Sequence, residues 1–391
     1  MFRTTNQTVC RFSQTVTAPL LLLASCLFVL VGCAANQSIT AHTKPATSAQ
    51  LVDSDGGYKR APLEKETITL KLIQSKAERI TDLTKAKSVL KTNLNHMLAM
   101  GKQACSEGEK PDILLFHEFP LTGYFYGKRP AKQHVALTIP GPETTALGAL
   151  AAECDTYLIF GSYAKDADWP GHILSINTVI GRDGKIVKKV WKPKNIKRFY
   201  DTFEISTTTV ESVQDAFRAK YGIDDELPVI RTEFGNLAVS TVQLDPMTFA
   251  ALTMKGAEII LRTSTLFFRS DIIHTAMVNN VYTAMANIPA KSKYGGHSLI
   301  VDPNGKVLAE VNSNEDEGII SFLSFSLKLF TPLFFEELLK NLLFFFEEFI
   351  FLELLLESEL FLYLLFFSNK FFFEEFFINS IHFNFEIFKK F

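Results

Sequence analysis

The sequence predicts an α/β fold, a single domain of helices layered over sheets, with a leader before it and a compositionally foreign tail after it. Three observations predict this. Runs with strand periodicity alternate with runs of helical periodicity between residues 66 and 322. Turn signals at Asp183-Gly184 and Asn304-Gly305 join strand-like runs into hairpins. Acidic and basic residues are interspersed, with a net charge of -2 over 391 residues, so no basic block marks a nucleic-acid partner. The length would hold two average domains, yet sandwich folds of ~250 residues commonly form one. No internal repeat divides the chain.

At the N-terminus, Arg3 and Arg11 precede the apolar stretch Ala18 to Val31, shorter than the ~20 residues a spanning helix needs, and residues 1–32 read as a signal peptide. The stretch ends Leu30-Val31-Gly32-Cys33, which resembles the lipobox of bacterial lipoproteins, where the residue matching Cys33 is diacylated and becomes the new N-terminus. The bland alternative is an ordinary signal peptide whose cysteine happens to follow glycine. Lipidation would make the protein a membrane-anchored one rather than a spanning one. Ala34 stands where an aspartate would retain such proteins in the inner membrane, which points to the periplasmic face of the outer membrane. Residues 33–65, rich in Ser, Thr and Ala with Gly56-Gly57 and Pro62, read as a flexible tether.

The domain opens with an alternating strand at Thr67 to Leu72. Leu90, Leu94, Met97, Leu98 and Cys105 recur at helical spacing, and Ile113 to Phe116 is a buried strand ending at His117-Glu118. A helix (Glu143 to Cys154) and two strands (Tyr157 to Ser162, Ile173 to Gly181) follow. A polar, irregular section runs from Lys194 to Pro228. Beyond it the pattern predicts a strand at Asn236 to Leu244, a helix, a strand at Glu258 to Leu261, a helix from Asp271 to Asn287 and a hairpin from His297 to Leu308. Cys105 and Cys154 close apolar-periodic helices and are expected as small buried hydrophobes rather than as a disulfide. No His/Cys cluster has metal-ligand spacing. Residues 323–391 lack Gly, Ala, Val, Asp and Arg, and 22 of the 36 phenylalanines fall in residues 321–391. That mixture suits no globular domain. Charges interrupt it too often for a membrane span, and it is expected to be an artefact of a low-complexity tract.

Four segments carry a resemblance. Pro111 to Tyr124 holds Phe116-His117-Glu118-Phe119-Pro120-Leu121-Thr122-Gly123-Tyr124; Asp183-Gly184-Lys185-Ile186-Val187 leads to Val190-Trp191-Lys192. Phe234-Gly235 runs through Val242-Gln243-Leu244-Asp245 to Lys255-Gly256-Ala257-Glu258, and Gly295 to Gly305 closes with Asp302-Pro303. In this order they resemble the carbon-nitrogen hydrolases of the nitrilase/amidase superfamily. The resemblance implies an α-β-β-α sandwich, no cofactor, an amide-like small ligand and homodimers or higher homo-oligomers pairing across outer helices. It also implies site roles. Glu118 matches the general base, Lys192 the lysine that stabilises an oxyanion, and Glu204, more weakly, a second glutamate.

The chemistry wants these groups. A thiolate attacking an amide carbon needs a base to take its proton and hand it to the leaving amine, and a nearby ammonium lowers the energy of the tetrahedral oxyanion. Read without the resemblance, Glu118 is an exposed strand-end carboxylate and Lys192 a solvated hairpin lysine. The nucleophile is missing. Anchoring on Asp245 places it at Gln243, anchoring on Gly235 at Val242, and neither side chain can attack a carbonyl. Ser240 and Thr241 lie nearby, but alternation would aim at most one at a pocket. Three readings stay open: an inactive member that binds an amide-like ligand or a protein partner, an amidase with an unrecognised nucleophile, and a structural envelope lipoprotein.

Overall fold

A computed structural model of the protein describes residues 59–65, 67–125, 127–195 and 207–324. The expected signal peptide, Cys33, Glu204, most of the tether and the tail beyond Ser324 lie outside the described residues.

Alternation of apolar residues builds two sheets. The first contains β1 (Ile68–Gln74), β2 (Ile113–Phe116), β3 (Leu137–Thr138), β4 (Tyr157–Lys165), β5 (Leu174–Ile180), β6 (Ile186–Trp191) and β13 (Gly318–Ser324), ordered β13-β1-β2-β4-β5-β6 with β3 beside β4. The second contains β7 (Val229–Thr232), β8 (Gly235–Ser240), β9 (Ile259–Ser264), β10 (Tyr282–Asn287), β11 (Leu299–Val301) and β12 (Val307–Glu310), ordered β12-β11-β10-β9-β8-β7. Each has a parallel centre, β1-β2-β4 in one and β8-β9-β10 in the other.

Successive residues of a strand face opposite ways, and here each face has its own core. Ile113 and Leu115 of β2 pack with Val179, Leu237, Leu261 and Ala284 between the sheets. Leu114 and Phe116 turn outward onto α1 (Ala86–Ser106) and α3 (Pro142–Cys154), meeting Met97, Met100, Leu147 and Leu150. A short helix, α2, spans Arg129–Lys132. Across the second sheet, α5 (Pro246–Met254) buries Phe249 and Leu252 on Ala238 and Ile260. Next to it α6 (Arg269–Asn279) buries Ile272 and Ala276 on Met285 and Leu299. The layers are therefore helix, sheet, sheet, helix, as the resemblance implied.

Several expectations need correction. Cys105 and Cys154 form a disulfide, with their Cα atoms 5.9 Å apart. Their helices end side by side on one sheet face, a contact that a separation of 49 residues hides from local pattern. The helix expected from Asp271 to Asn287 stops at Asn279, because Asn280 takes a left-handed conformation (φ 52°) and the chain continues as β10. The strand expected to reach Leu244 ends at Ser240. The polar section holds a helix, α4 (Gln214–Tyr221), which buries Phe217. Nor were β7 and β13 expected; β13 pairs with β1 along its whole length and runs to Ser324. The end of the expected tether lies against the sandwich. Glu64 N–H donates to Glu233 O (2.8 Å), Lys65 pairs with Asp112 (2.5 Å) and Arg60 pairs with Glu258.

Candidate active site

Both sheets end their parallel strands at one pole. Gln74, the last residue of β1, accepts from Ser298 N–H (2.9 Å), and Ser298 Oγ accepts from Asn287 N–H at the end of β10 (2.9 Å). Loops leaving such strand ends are where α/β proteins commonly build ligand sites.

Glu118 follows β2 and is buried, 6% exposed. Gly161 in β4 makes room for it: its N–H donates to His117 O (3.1 Å), and a Cβ there would lie 2.7 Å from Glu118 Cα and 2.5 Å from its carbonyl oxygen. The His117 ring fastens the same turn. Nε2 lies 3.0 Å from Ser75 O, and Nδ1 accepts from Phe119 N–H (3.2 Å). A carbonyl only accepts and an amide N–H only donates, so the proton sits on Nε2. Burial pushes the His117 pKa down to about 3, so the ring is neutral.

Lys192 follows β6 and is 7% exposed. Its N–H donates to Ser175 O (2.9 Å) and its carbonyl accepts from Val210 N–H (3.2 Å). Val190 belongs to the core between the sheets, so alternation turns Lys192 the same way. Asn177 stands opposite Val190 on one side and Gly161 on the other. Glu118 over Gly161, then Asn177 with Ser175, then Lys192 thus lie across three adjacent strands on one face, about 10 Å from first to last.

The second sheet meets this face. Ser240, the last residue of β8, pairs with Arg262, and the next residue of β9, Thr263, donates through Oγ1 to Asn177 Oδ1 (2.5 Å) across the two sheets. After Ser240 the chain turns sharply. Val242 N–H donates to Ser240 Oγ (3.2 Å), Leu244 is left-handed (φ 55°), and Asp245 caps α5 by accepting from Thr248 N–H (3.4 Å), with Thr248 Oγ1 donating to its other oxygen (2.5 Å). A non-glycine residue held there costs of order 1–3 kcal/mol and marks a constrained turn. Lys194 pairs with Asp245 (2.9 Å), fastening the chain just past Lys192 to the chain just past Gln243. Arg262, wholly buried, grips the turn from the helix side: Nη2 donates to Val242 O and to Asp271 Oδ2 (2.8 Å), and the guanidinium lies 4.1 Å from the centre of the Phe249 ring.

The structure therefore brings Glu118, Lys192 and the Val242–Gln243 turn to one pole. Gln243 is 5% exposed, and its Oε1 has no hydrogen-bond partner among the described residues; the same holds for Thr241 Oγ1, Ser175 Oγ and Asn177 Nδ2. Buried polar atoms in this state are completed by water or ligand. Of the two hydroxyls considered from sequence, Ser240 shares the helix side with Ala238 and is engaged by Val242, whereas Thr241 shares the inner side with Val239. Asn177, Ser175 and Thr263 were missed. Their signal was a polar residue at inward-facing positions of otherwise apolar strands. Among the described residues no cluster of His, Cys, Asp and Glu could hold a metal ion.

The family model for carbon-nitrogen hydrolases matches residues 82–326, more than half of the chain. An omega-amidase NIT2 of Xenopus tropicalis is 27% identical over 241 residues, 57% of this chain and 80% of that one. The human omega-amidase NIT2 is 27% identical over 193 residues, 45% of this chain and 65% of that one. Among solved structures, Nit3 of Saccharomyces cerevisiae, a member of branch 10 of the nitrilase superfamily, aligns with a TM-score of 0.53 at 17% identity, covering 69% of this chain and 94% of that chain. A double mutant of the amidase from Nesterenkonia sp. AN1 in complex with acrylamide aligns at 0.51 and 15%, covering 68% and 93%. At such identities these likenesses bear on the fold alone.

Proposed function

This chain belongs to the carbon-nitrogen hydrolase family, and we propose that it binds an amide-bearing small molecule in the pocket at Glu118 and Lys192 without cysteine-dependent hydrolysis. The observation that carries this is the cysteine inventory. No cysteine follows Cys154, the turn after β8 offers Val242 and Gln243 instead, and Cys105 and Cys154 are bonded to each other. A base and an oxyanion-stabilising cation without a nucleophile still suit recognition of a polar amide. The second reading, catalysis through another nucleophile, has one observation in its favour: the inward-facing, unpartnered hydroxyl of Thr241.

Purified protein is incubated with a panel of linear amides while ammonia release is followed, and intact mass and peptide mapping look for an acyl adduct. Binding without turnover or adduct supports the proposal. Turnover that Glu118→Gln abolishes would rule it out, and an adduct on Thr241 would establish the second reading.

Two further features belong to this reading. The protein is an exported lipoprotein anchored through Cys33; the disulfide supports an oxidising compartment. Radiolabelled palmitate incorporation, lost in Cys33→Ala, tests the anchor. It also pairs with a second copy of itself through the outer face of α5 and α6, where Met247, Met254, Met277 and Val278 are all more than half exposed. Met254→Glu is expected to convert a dimer to a monomer in sedimentation; a monomeric wild type would dispose of the idea.

A further inference from the structure

We propose that Asn177 is a ligand-binding residue of this pocket, its side-chain N–H donating to the oxygen of a bound carboxamide; the proposal rests on the amide-binding reading above. A carboxamide side chain has one acceptor oxygen and two N–H donors. Thr263 takes the Asn177 oxygen from the opposite sheet at 2.5 Å, which fixes the group in place. Nδ2 is left with no acceptor among the described residues, in a side chain only 1% exposed. Leaving a buried donor unmet costs about 1–3 kcal/mol, so a folded chain keeps one where a water or a ligand atom completes it.

The surroundings say which ligand atom. Asn177 is the cross-strand neighbour of Gly161, on which the Glu118 backbone lies, and it shares an inward-facing surface with Lys192, whose N–H donates to Ser175 O. Lys192 and Asn177 Nδ2 are donors. Glu118 and the unpartnered Oε1 of Gln243 are acceptors. A pocket that pairs donors on β5 and β6 with acceptors at the end of β2 and the turn after β8 complements a group carrying both functions. The carboxamide does so, its oxygen toward Asn177 and Lys192 and its N–H toward Glu118 and Gln243. A carboxylate has no donor for the acceptor side, and an ammonium has no acceptor for the donor side.

The test titrates butyramide into nitrogen-15-labelled protein and follows side-chain amide resonances, with binding measured in parallel for Asn177→Asp. That substitution keeps the shape and the bond from Thr263 while removing the donor. The Asn177 resonance is expected to shift in step with occupancy, and Asn177→Asp to weaken binding by about tenfold. If Asn177→Asp fails to fold, Asn177→Ser takes its place, and the wild-type resonance decides alone where neither variant folds. Butyramide that shifts the backbone at Glu118 and Lys192 while leaving the Asn177 side chain and the variant's affinity unchanged overturns this inference and leaves the pocket reading intact. The absence of any shift at that pole overturns both.

Discussion

A glutamine at position 243 cannot do what a thiolate does, but its place in the turn can be tested by supplying one. Gln243→Cys is expected to yield a thiol that iodoacetamide alkylates at neutral pH, because in the proposed pocket the Lys192 ammonium faces this turn and favours the thiolate. Val242→Cys is expected to stay inert, since that residue is 1% exposed and its carbonyl is held by Arg262. The opposite order of rates would move the register by one residue. His117 makes a second prediction. Its folded pKa, about 3, lies below the 6.5 of an unconstrained histidine, so between those values the unfolded chain holds the extra proton. The contribution to stability is therefore complete above pH 6.5 and is lost as pH falls toward 3, by up to about 1.4 kcal/mol per pH unit. Urea titrations between pH 7 and pH 4.5 should show His117→Gln losing less stability on acidification than the wild type. Parallel slopes would mean the histidine is not buried neutral.

Elements were legible where a local period reports a local environment. The helix now α1 has one buried face repeating at its own period, β2, β4 and β5 are short apolar runs buried on both faces, and Asp183-Gly184 carries its own turn chemistry; Glu118 and Lys192 follow strands read in this way. The misses share a cause as well. Val281, Tyr282, Ala284 and Met285 form a short apolar run that a helix or a central strand can equally use; only pairing with β9 decides, and that partner lies far off in sequence. β13 depends on β1, and the disulfide on two helix ends meeting. The turn after β8 was legible as chemistry but not as backbone, since the apolar pattern continues through Val242 after the strand has ended. The disulfide has a measurable weight. Closing a loop of 49 residues restricts the unfolded chain by about 4 kcal/mol in the loop-entropy account. Replacing both cysteines with alanine should lower the urea-unfolding free energy by an amount of that order, and a loss below about 1 kcal/mol would mean that the packing of α1 on α3 already holds the two ends together.

At the scale of the molecule the two poles of the sandwich do different work. One carries Glu118, Lys192 and the Val242–Gln243 turn, with buried polar atoms that have no partner among the described residues. The other is closed by an ionic clasp in which Arg182 bonds Asp112 Oδ1 (2.7 Å) in the first sheet and Glu233 Oε1 (2.7 Å) in the turn before β8, while the Tyr157 hydroxyl donates to Glu233 (2.9 Å). Lys65 and Arg60 bring the incoming chain onto the same pole. Burial pushes the Asp112 carboxyl up, but bonds from Lys65, Thr69 N–H and Arg182 outweigh it and hold the group below the usual carboxylate range. Arg182→Met removes the cation that Asp112 and Glu233 share, leaving Asp112 with Lys65 and Thr69 N–H and Glu233 with the Tyr157 hydroxyl. Removing one partner of a fully buried pair costs about 3–5 kcal/mol. With the Arg182 side chain 22% exposed, about 2–3 kcal/mol is the expected loss, read from urea unfolding. Amide affinity should be unchanged in the same variant, because the proposed pocket lies at the other ends of the strands. A fall in amide affinity that matched the fall in stability would mean the sheets shift as a unit and the clasp sets the spacing of Asn177 and Thr263 after all.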